Sequence, residues 1–357
     1  MNLAISRRRP TMTIKKGFVG ILVANRAQRK HVLNQYLSYN AAGVKLISFT
    51  PSSIDWKRRT VVGLHRVKGR WSIGRFPLPQ VVYNRCYGSD PLLIERLEAT
   101  IGGDHYFNHI NQLNKLDIYN KLNRWLAPNL PETIPYEEAD VMSMLERHME
   151  IYFKPLFGCM GKGVYRAEMN PSGDIRVGQH YFAPKTVTSD HVFFQEHMKK
   201  LVSSNPYIVQ KGIPIRQIDG QVFDIRALVQ KNEQGLWSVT NLVSRIAYKG
   251  SFNTSIFVKT CLSQEILKKL YPPDKVQAIM TSIYDVSLRT AEIIEMETDY
   301  HLGEFSVDVA LDSDAHPWII ELNGKPQKDL YRGIPNRSVV YQRPIQYARY
   351  LCGKPSL

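Results

Sequence analysis

The chain has 357 residues, 43% of them hydrophobic and 10% aromatic, enough for about two to three domains with a sizeable core and unlike a disordered or fibrous sequence. The 47 Lys and Arg residues against 32 Asp and Glu leave a formal charge of +15, a surplus that points to a polyanionic or acidic partner. Cys86, Cys159, Cys261 and Cys352 lack a CxxC pair, no apolar run approaches about 18 residues, and no apolar h-region follows Arg7-Arg8-Arg9, so a disulfide framework, a zinc site, a membrane span and a signal peptide are not expected, and the expected compartment is the cytoplasm.

Residues 1–16 form a basic tail without a structural pattern, and a small α/β segment is expected over 17–104. It opens with the buried-strand run Phe18–Val23, continues with helical spacing from Gln28 to Ala41, and returns to a strand at Val44–Phe49. Two short strands are expected within Trp56–Trp71 around Lys68-Gly69, and another begins at Gln80–Tyr83.

A second segment, 105–205, holds a helix within Lys115–Asn123 and a strand, Ile151–Pro155, that carries Lys154. The loop Gly158-Cys159-Met160-Gly161-Lys162-Gly163 follows, then a strand over Val164–Glu168. Glycines without a Cβ let backbone amides approach phosphate oxygens, and Lys154 and Lys162 add charge. GCMGKGV lacks the GxxxxGK[ST] order of a P-loop, and a glycine-rich hairpin turn is the plain alternative.

The third segment, 206–357, begins with the strand Tyr207–Ile213, whose polar end at Gln210 and Lys211 suits the edge of an adenine. Val222–Val229 alternates, so Asp224 and Arg226 share a face, with a surface ion pair as the other reading. Arg245, Lys249 and Asn253 add donors on a loop. Val276–Met296 has helical spacing, and Ile279, Ile283, Val286, Ala291, Ile293 and Ile294 form a face for the core. Two final strands, Val307–Leu311 and Trp318–Leu322, flank the turn Asp312–His316. Antiparallel pairing across that turn puts Glu321 and Asn323 on one face with Asp308 opposite, three oxygen donors of the kind magnesium takes; solvated turn carboxylates are the plainer reading.

The order of a Lys-Pro strand, a glycine-rich loop, the hinge Gln210-Lys211-Gly212-Ile213, Asp224-x-Arg226 and Asp308…Glu321-x-Asn323 resembles the ATP-grasp superfamily over most of the chain. Val81-Val82-Tyr83-Asn84-Arg85, Phe107-Asn108, Lys115 to Asn123 and Leu130-Pro131-Glu132-Thr133 are similar to its YheC/YheD branch from endospore-forming bacteria. The resemblance implies a mixed α/β (α+β) ATP-grasp fold with a small N-terminal α/β domain, and ATP and Mg2+ in the site. It places Lys121 and Lys154 at the phosphates, and Gly158, Gly161, Lys162 and Gly163 in a lid loop. Gln210, Lys211 and Ile213 would meet adenine, and Asp224, Arg226 and Arg245 would orient the acceptor or the transferred phosphoryl group. Asp308, Glu321 and Asn323 would hold magnesium; Cys159-Met160 departs from the small hydroxylated residue common in that loop.

The implied activity is an ADP-forming carboxylate–amine or carboxylate–thiol ligase that works through an acyl phosphate. A kinase of the same fold and a coat-associated interaction protein without turnover are the alternatives. The implied partners are ATP, an acidic or carboxylate substrate and the endospore coat, with no specific nucleic acid expected. As site residues outside the core, Asp308 and Glu321 are expected to cost no more than about 1 to 2 kcal/mol on conversion to amides.

Overall fold

Three sheets succeed one another in a computed structural model that describes residues 18–40, 42–87, 90–158 and 160–353; the basic tail and Cys159 lie outside the described residues. The first sheet is built on parallel strands, with Phe18–Leu22 between Lys45–Phe49 and Val81–Asn84, and Tyr106–Phe107 beyond the last. The helix Gln28–Leu37 makes the expected crossover between the first two strands. Thr60–Val67 and Arg70–Pro77 form a hairpin whose turn residues Lys68 and Gly69 have φ of 46° and 80°, the positive pair a tight hairpin turn needs.

The second sheet spans Thr133–Lys211 and the third Gln217–Asn323. The strand Tyr207–Lys211, placed by the sequence at the start of the third segment, belongs to the second sheet, antiparallel to Glu150–Pro155. Its side chains Tyr207 and Val209 share a core with Ile151 and Phe153, and that burial decides where the strand docks.

Two helices cross the expected segment boundaries. Lys115–Leu126 packs Ile118, Leu122 and Leu126 into the core under the third sheet, against Ile279, Ile283 and Ile294 of the long helix Pro273–Glu297. The helix Arg337–Cys352 returns to the first sheet, where Tyr341 and Ile345 meet Val19, Ile21 and Tyr36. All six residues of the expected apolar face on the long helix are buried. Among the described residues no helix is long and apolar enough to cross a membrane.

Candidate active site

A cavity of about 200 Å³ opens between the second and third sheets. The second sheet contributes Lys154 and Gln210 from neighbouring strands, Glu150–Pro155 and Tyr207–Lys211, and Lys154 Nζ donates to Gln210 Oε1 at 2.5 Å. Gln210 in turn donates to Thr133 Oγ1 at 2.9 Å, so its amide positions Lys154. Lys211 and Ile213 continue the wall with Ile215 and Val222, and Tyr152 and Phe252 stand in edge contact with ring centroids 5.6 Å apart. That apolar stretch beside polar strand ends can accept a planar heteroaromatic ring.

The third sheet supplies charge by register. Asp224 lies opposite Arg245, Arg226 opposite Asp308, and Asp308 opposite Glu321, so one row of acids and bases crosses four strands. Arg226 donates from Nε and Nη2 to the two oxygens of Asp308 at 2.7 Å each. Arg245 donates from Nε to Asp224 Oδ1 at 3.0 Å and from Nη2 to Asp308 Oδ2 at 2.9 Å, and Nη2 also reaches Asp224 Oδ2. Thr254 Oγ1 donates to Asp224 Oδ2 at 2.6 Å. All four charged residues of this network are buried, which replaces the surface ion pair read for Asp224 and Arg226. Burial alone would raise the Asp308 carboxyl, but Arg226 and Arg245 hold it below its ordinary value. Burial opposes the charge of both arginines, and their carboxylate partners raise them above the usual value.

The pairing Asp308 to Glu321 follows the antiparallel geometry expected of the two final strands, with a bulge after Asp308. Asn323 comes in from the side and donates from Nδ2 to Asp308 Oδ2 at 3.2 Å. Asp308 Oδ2 therefore receives three donors and Oδ1 receives one, leaving acceptor capacity on Oδ1, on Glu321 and on the Asn323 carbonyl. Among the described residues no group of three or more His, Cys, Asp and Glu side chains forms a metal cage. Hard oxygen donors that few in number fit a magnesium ion that takes its remaining ligands from phosphate and water.

The glycine loop connects antiparallel strands Glu150–Pro155 and Tyr165–Met169, and Gly158, Gly161 and Lys162 line the cavity. Gly161 has φ of +64°, and a Cβ there would lie 1.8 Å from Asn253 Nδ2, so only glycine lets the loop close on the Asn253 loop. Gly163 packs beneath, where a Cβ would meet the Tyr207 hydroxyl at 2.8 Å, and does not line the cavity. Lys249 is exposed and outside it.

Lys121 is not brought to this site. Its Nζ donates to the Glu297 carbonyl at 2.8 Å and lies 3.7 Å from Asp117, over a different recess. Lys115 takes the place in the cavity instead, 3.2 Å from Glu321. Six residues of helix turn through about 600°, so Lys115 and Lys121 cannot face the same way. The signal for Lys115 was its location directly after the cap Asn114, because a lysine in a first helical turn opposes the helix dipole and gains from a nearby anion.

Lys154 is a perturbed cation of the cavity. Burial pushes it down to about 8, with Lys115 adding repulsion and Glu321 and Asp308 pulling the other way. Over the whole cavity six basic side chains, Lys115, Lys154, Lys162, Lys211, Arg226 and Arg245, face three acidic ones, Asp224, Asp308 and Glu321. The surplus of positive charge suits a polyanion such as a chain of phosphates.

The profile of the family described as YheC/D like ATP-grasp matches residues 103–351. The chain is 25% identical over 338 residues to the endospore coat-associated protein YheD of Bacillus subtilis, covering 88% of this chain and 72% of that protein. It is 24% identical over 333 residues to the endospore coat-associated protein YheC of the same organism, covering 88% and 90%. Among solved structures, D-alanyl-alanine synthetase A from Vibrio cholerae has a TM-score of 0.54 at 10% identity, covering 93% of this chain and 98% of that one. N5-carboxyaminoimidazole synthetase from Staphylococcus aureus, complexed with ADP, has a TM-score of 0.52 at 13% identity, covering 88% and 72%. These likenesses establish the ATP-grasp fold, and with the match over 103–351 the chain belongs to the YheC/D-like ATP-grasp family.

Proposed function

We propose that the cleft binds Mg-ATP and activates a carboxylate, releasing ADP and forming an acyl phosphate that an amine or thiol then displaces. The observation that carries this reading is the cavity between two sheets in which lysines, a glycine loop and a buried Arg–Asp row surround one surplus-positive space. Lys115 and Lys154 would neutralise phosphate oxygens, and the amides of the Gly158–Gly163 loop would cover them. Tyr152, Ile213 and Phe252 would enclose the base beside Lys211. Magnesium, held by Asp308, Glu321 and Asn323, would supply further neutralisation of charge at the phosphates being separated.

Arg226 and Arg245 each keep Nη1 outside the hydrogen bonds that fix them, which leaves donors for the oxygens of the acceptor. In the first step a carboxylate oxygen attacks the γ phosphorus and the bond to the β–γ bridging oxygen breaks. In the second a nucleophile forms a bond to the acyl carbon and inorganic phosphate leaves. Alignment and charge neutralisation suffice for both, and no covalent enzyme nucleophile is used. We also propose action at or near the endospore coat, supported by the names of the two Bacillus subtilis relatives.

Hydroxylamine trapping tests the reaction. With Mg-ATP and a mixed pool of amino acids and acidic peptides, hydroxamate and ADP should appear in equal amounts. ADP without hydroxamate would leave simple phosphoryl transfer and contradict the acyl phosphate.

A further inference from the structure

The charge of this protein is unevenly placed. Residues 1–107 carry 18 of the 47 Lys and Arg and 5 of the 32 Asp and Glu, hence +13 of the formal +15, while the remainder of the chain, which includes the cleft, is close to neutral. The nucleotide site therefore does not account for the surplus. Among the described residues its densest part is the hairpin Thr60–Val67 and Arg70–Pro77 with the turn before it, where Lys57, Arg58, Arg59, Arg66, Lys68, Arg70 and Arg75 occur without an acid among them. Asp55, just upstream, pairs with Arg58 and Arg75 at 3.5 Å. Arg66, Lys68 and Arg70 have no ion-pair partner among the described residues and are exposed.

The hairpin also offers a backbone. Arg70–Pro77 pairs with Thr60–Val67 alone among the described residues, so its outer edge presents unpaired N–H and C=O groups over an eight-residue strand. An extended peptide can pair with such an edge, and an acidic one would also meet Arg66, Lys68 and Arg70. Nucleic acid and phosphatidylglycerol would satisfy the charge but not the edge, and neither carries a carboxylate to activate. The first sheet meets the third directly through residues that follow its strands Val81–Asn84 and Tyr106–Phe107. Asn108 donates to the carbonyls of Glu304 at 2.7 Å and Gly324 at 2.9 Å, and Arg85 to that of Pro326 at 3.3 Å.

We propose that the acceptor is an acidic polypeptide that docks on the Arg70–Pro77 edge through added strand pairing and the surrounding cations, and presents a side-chain or terminal carboxylate to the cleft. This rests on the carboxylate-activating reading above and names its substrate class.

The test uses the full chain, an end-labelled oligoglutamate, duplex DNA and phosphatidylglycerol vesicles. Oligoglutamate should bind in a salt-dependent way, slow amide exchange within Arg70–Pro77, and stimulate ADP release. The triple variant R66Q/K68Q/R70Q should weaken oligoglutamate binding about tenfold and raise its KM, with Mg-ATP affinity unchanged. Tighter binding of DNA or vesicles with no ADP release on oligoglutamate would overturn the proposal, as would a triple variant that only self-associates, since the cations would then merely keep the edge from pairing with another copy. Loss of Mg-ATP binding by the unmodified protein would instead contradict the nucleotide reading, so the two failures are distinguishable.

Discussion

Arg226 grips Asp308 across two neighbouring strands, Nε to Oδ1 and Nη2 to Oδ2 at 2.7 Å each, and Arg245 reaches the same carboxylate from the next strand over. A residue held in this way is part of the interior as well as of the site. Removing its charge leaves two buried guanidinium groups with one carboxylate between them.

Asp308→Asn should therefore cost roughly 3 to 5 kcal/mol, more than the 1 to 2 kcal/mol expected of a peripheral ligand, because a buried pair loses one partner. Glu321, which pairs with Lys115 and is not fully buried, should tolerate conversion to Gln within about 1 kcal/mol. Urea denaturation of the two variants measures the difference, and equal, small losses would show that the Arg–Asp row is not a buried network in solution.

Lys115→Met and Lys121→Met separate the two lysines of one helix. Loss of a charge-assisted phosphate contact at Lys115 should weaken Mg-ATP binding by roughly 1.5 to 3 kcal/mol. Lys121→Met should leave it within about twofold, since its ammonium is satisfied by Glu297 and Asp117 away from the cleft. Calorimetry on both variants decides between them, and a reversed order would return Lys121 to the phosphates.

Lys154 should couple nucleotide binding to proton uptake. With its value pushed down to about 8 from an ordinary 10.5, the folded protein holds fewer protons than the unfolded chain between those limits, so stability rises with pH across that window. Phosphate beside the ammonium would restore its charge. Above about pH 8, Mg-ATP binding should take up a proton, read as a dependence of binding heat on buffer ionisation, and Lys154→Met should abolish the uptake. Uptake unchanged in the variant would assign the proton elsewhere.

Glu304 joins the first sheet to the third. It is fully buried, paired with Lys328 at 2.8 Å and Arg85 at 3.0 Å, and accepts from Gln230 at 2.7 Å. Burial would raise its carboxyl, yet Lys328 and Arg85 hold it below the ordinary value, so the stability it contributes is present above the usual carboxylate range and is lost only in acid below that range. Glu304→Gln should destabilise the protein by roughly 3 to 5 kcal/mol at neutral pH, measured by urea denaturation. A change of less than about 1 kcal/mol would contradict the buried ion pair.

Local pattern carried much of this fold. The two final strands were legible because alternation on each side of a five-residue turn sets which residues share a face, and Asp308, Glu321 and Asn323 do meet. The Lys68-Gly69 hairpin was legible for the same local reason. Non-local pairing was not. Tyr207–Lys211 docks on a strand more than 50 residues upstream, as the Lys154–Gln210 bond at a separation of 56 shows, and nothing within either strand names its neighbour. A surface pair stayed open as one reading of Asp224 with Arg226 because the partners that bury them, Arg245 and Asp308, come from two other strands. Lys121 was named and Lys115 was not, because helical phase was not followed from the cap at Asn114.

Calorimetric titration of Mg-ATP into the unmodified protein and into Glu321→Gln, followed by ADP assay in the same samples with amino acids and acidic peptides, tests the central claim most directly. The account predicts magnesium-dependent binding that is strongly weakened in Glu321→Gln, with ADP release that requires an acceptor. Absence of binding in both proteins, or equal binding and turnover in both, would contradict it.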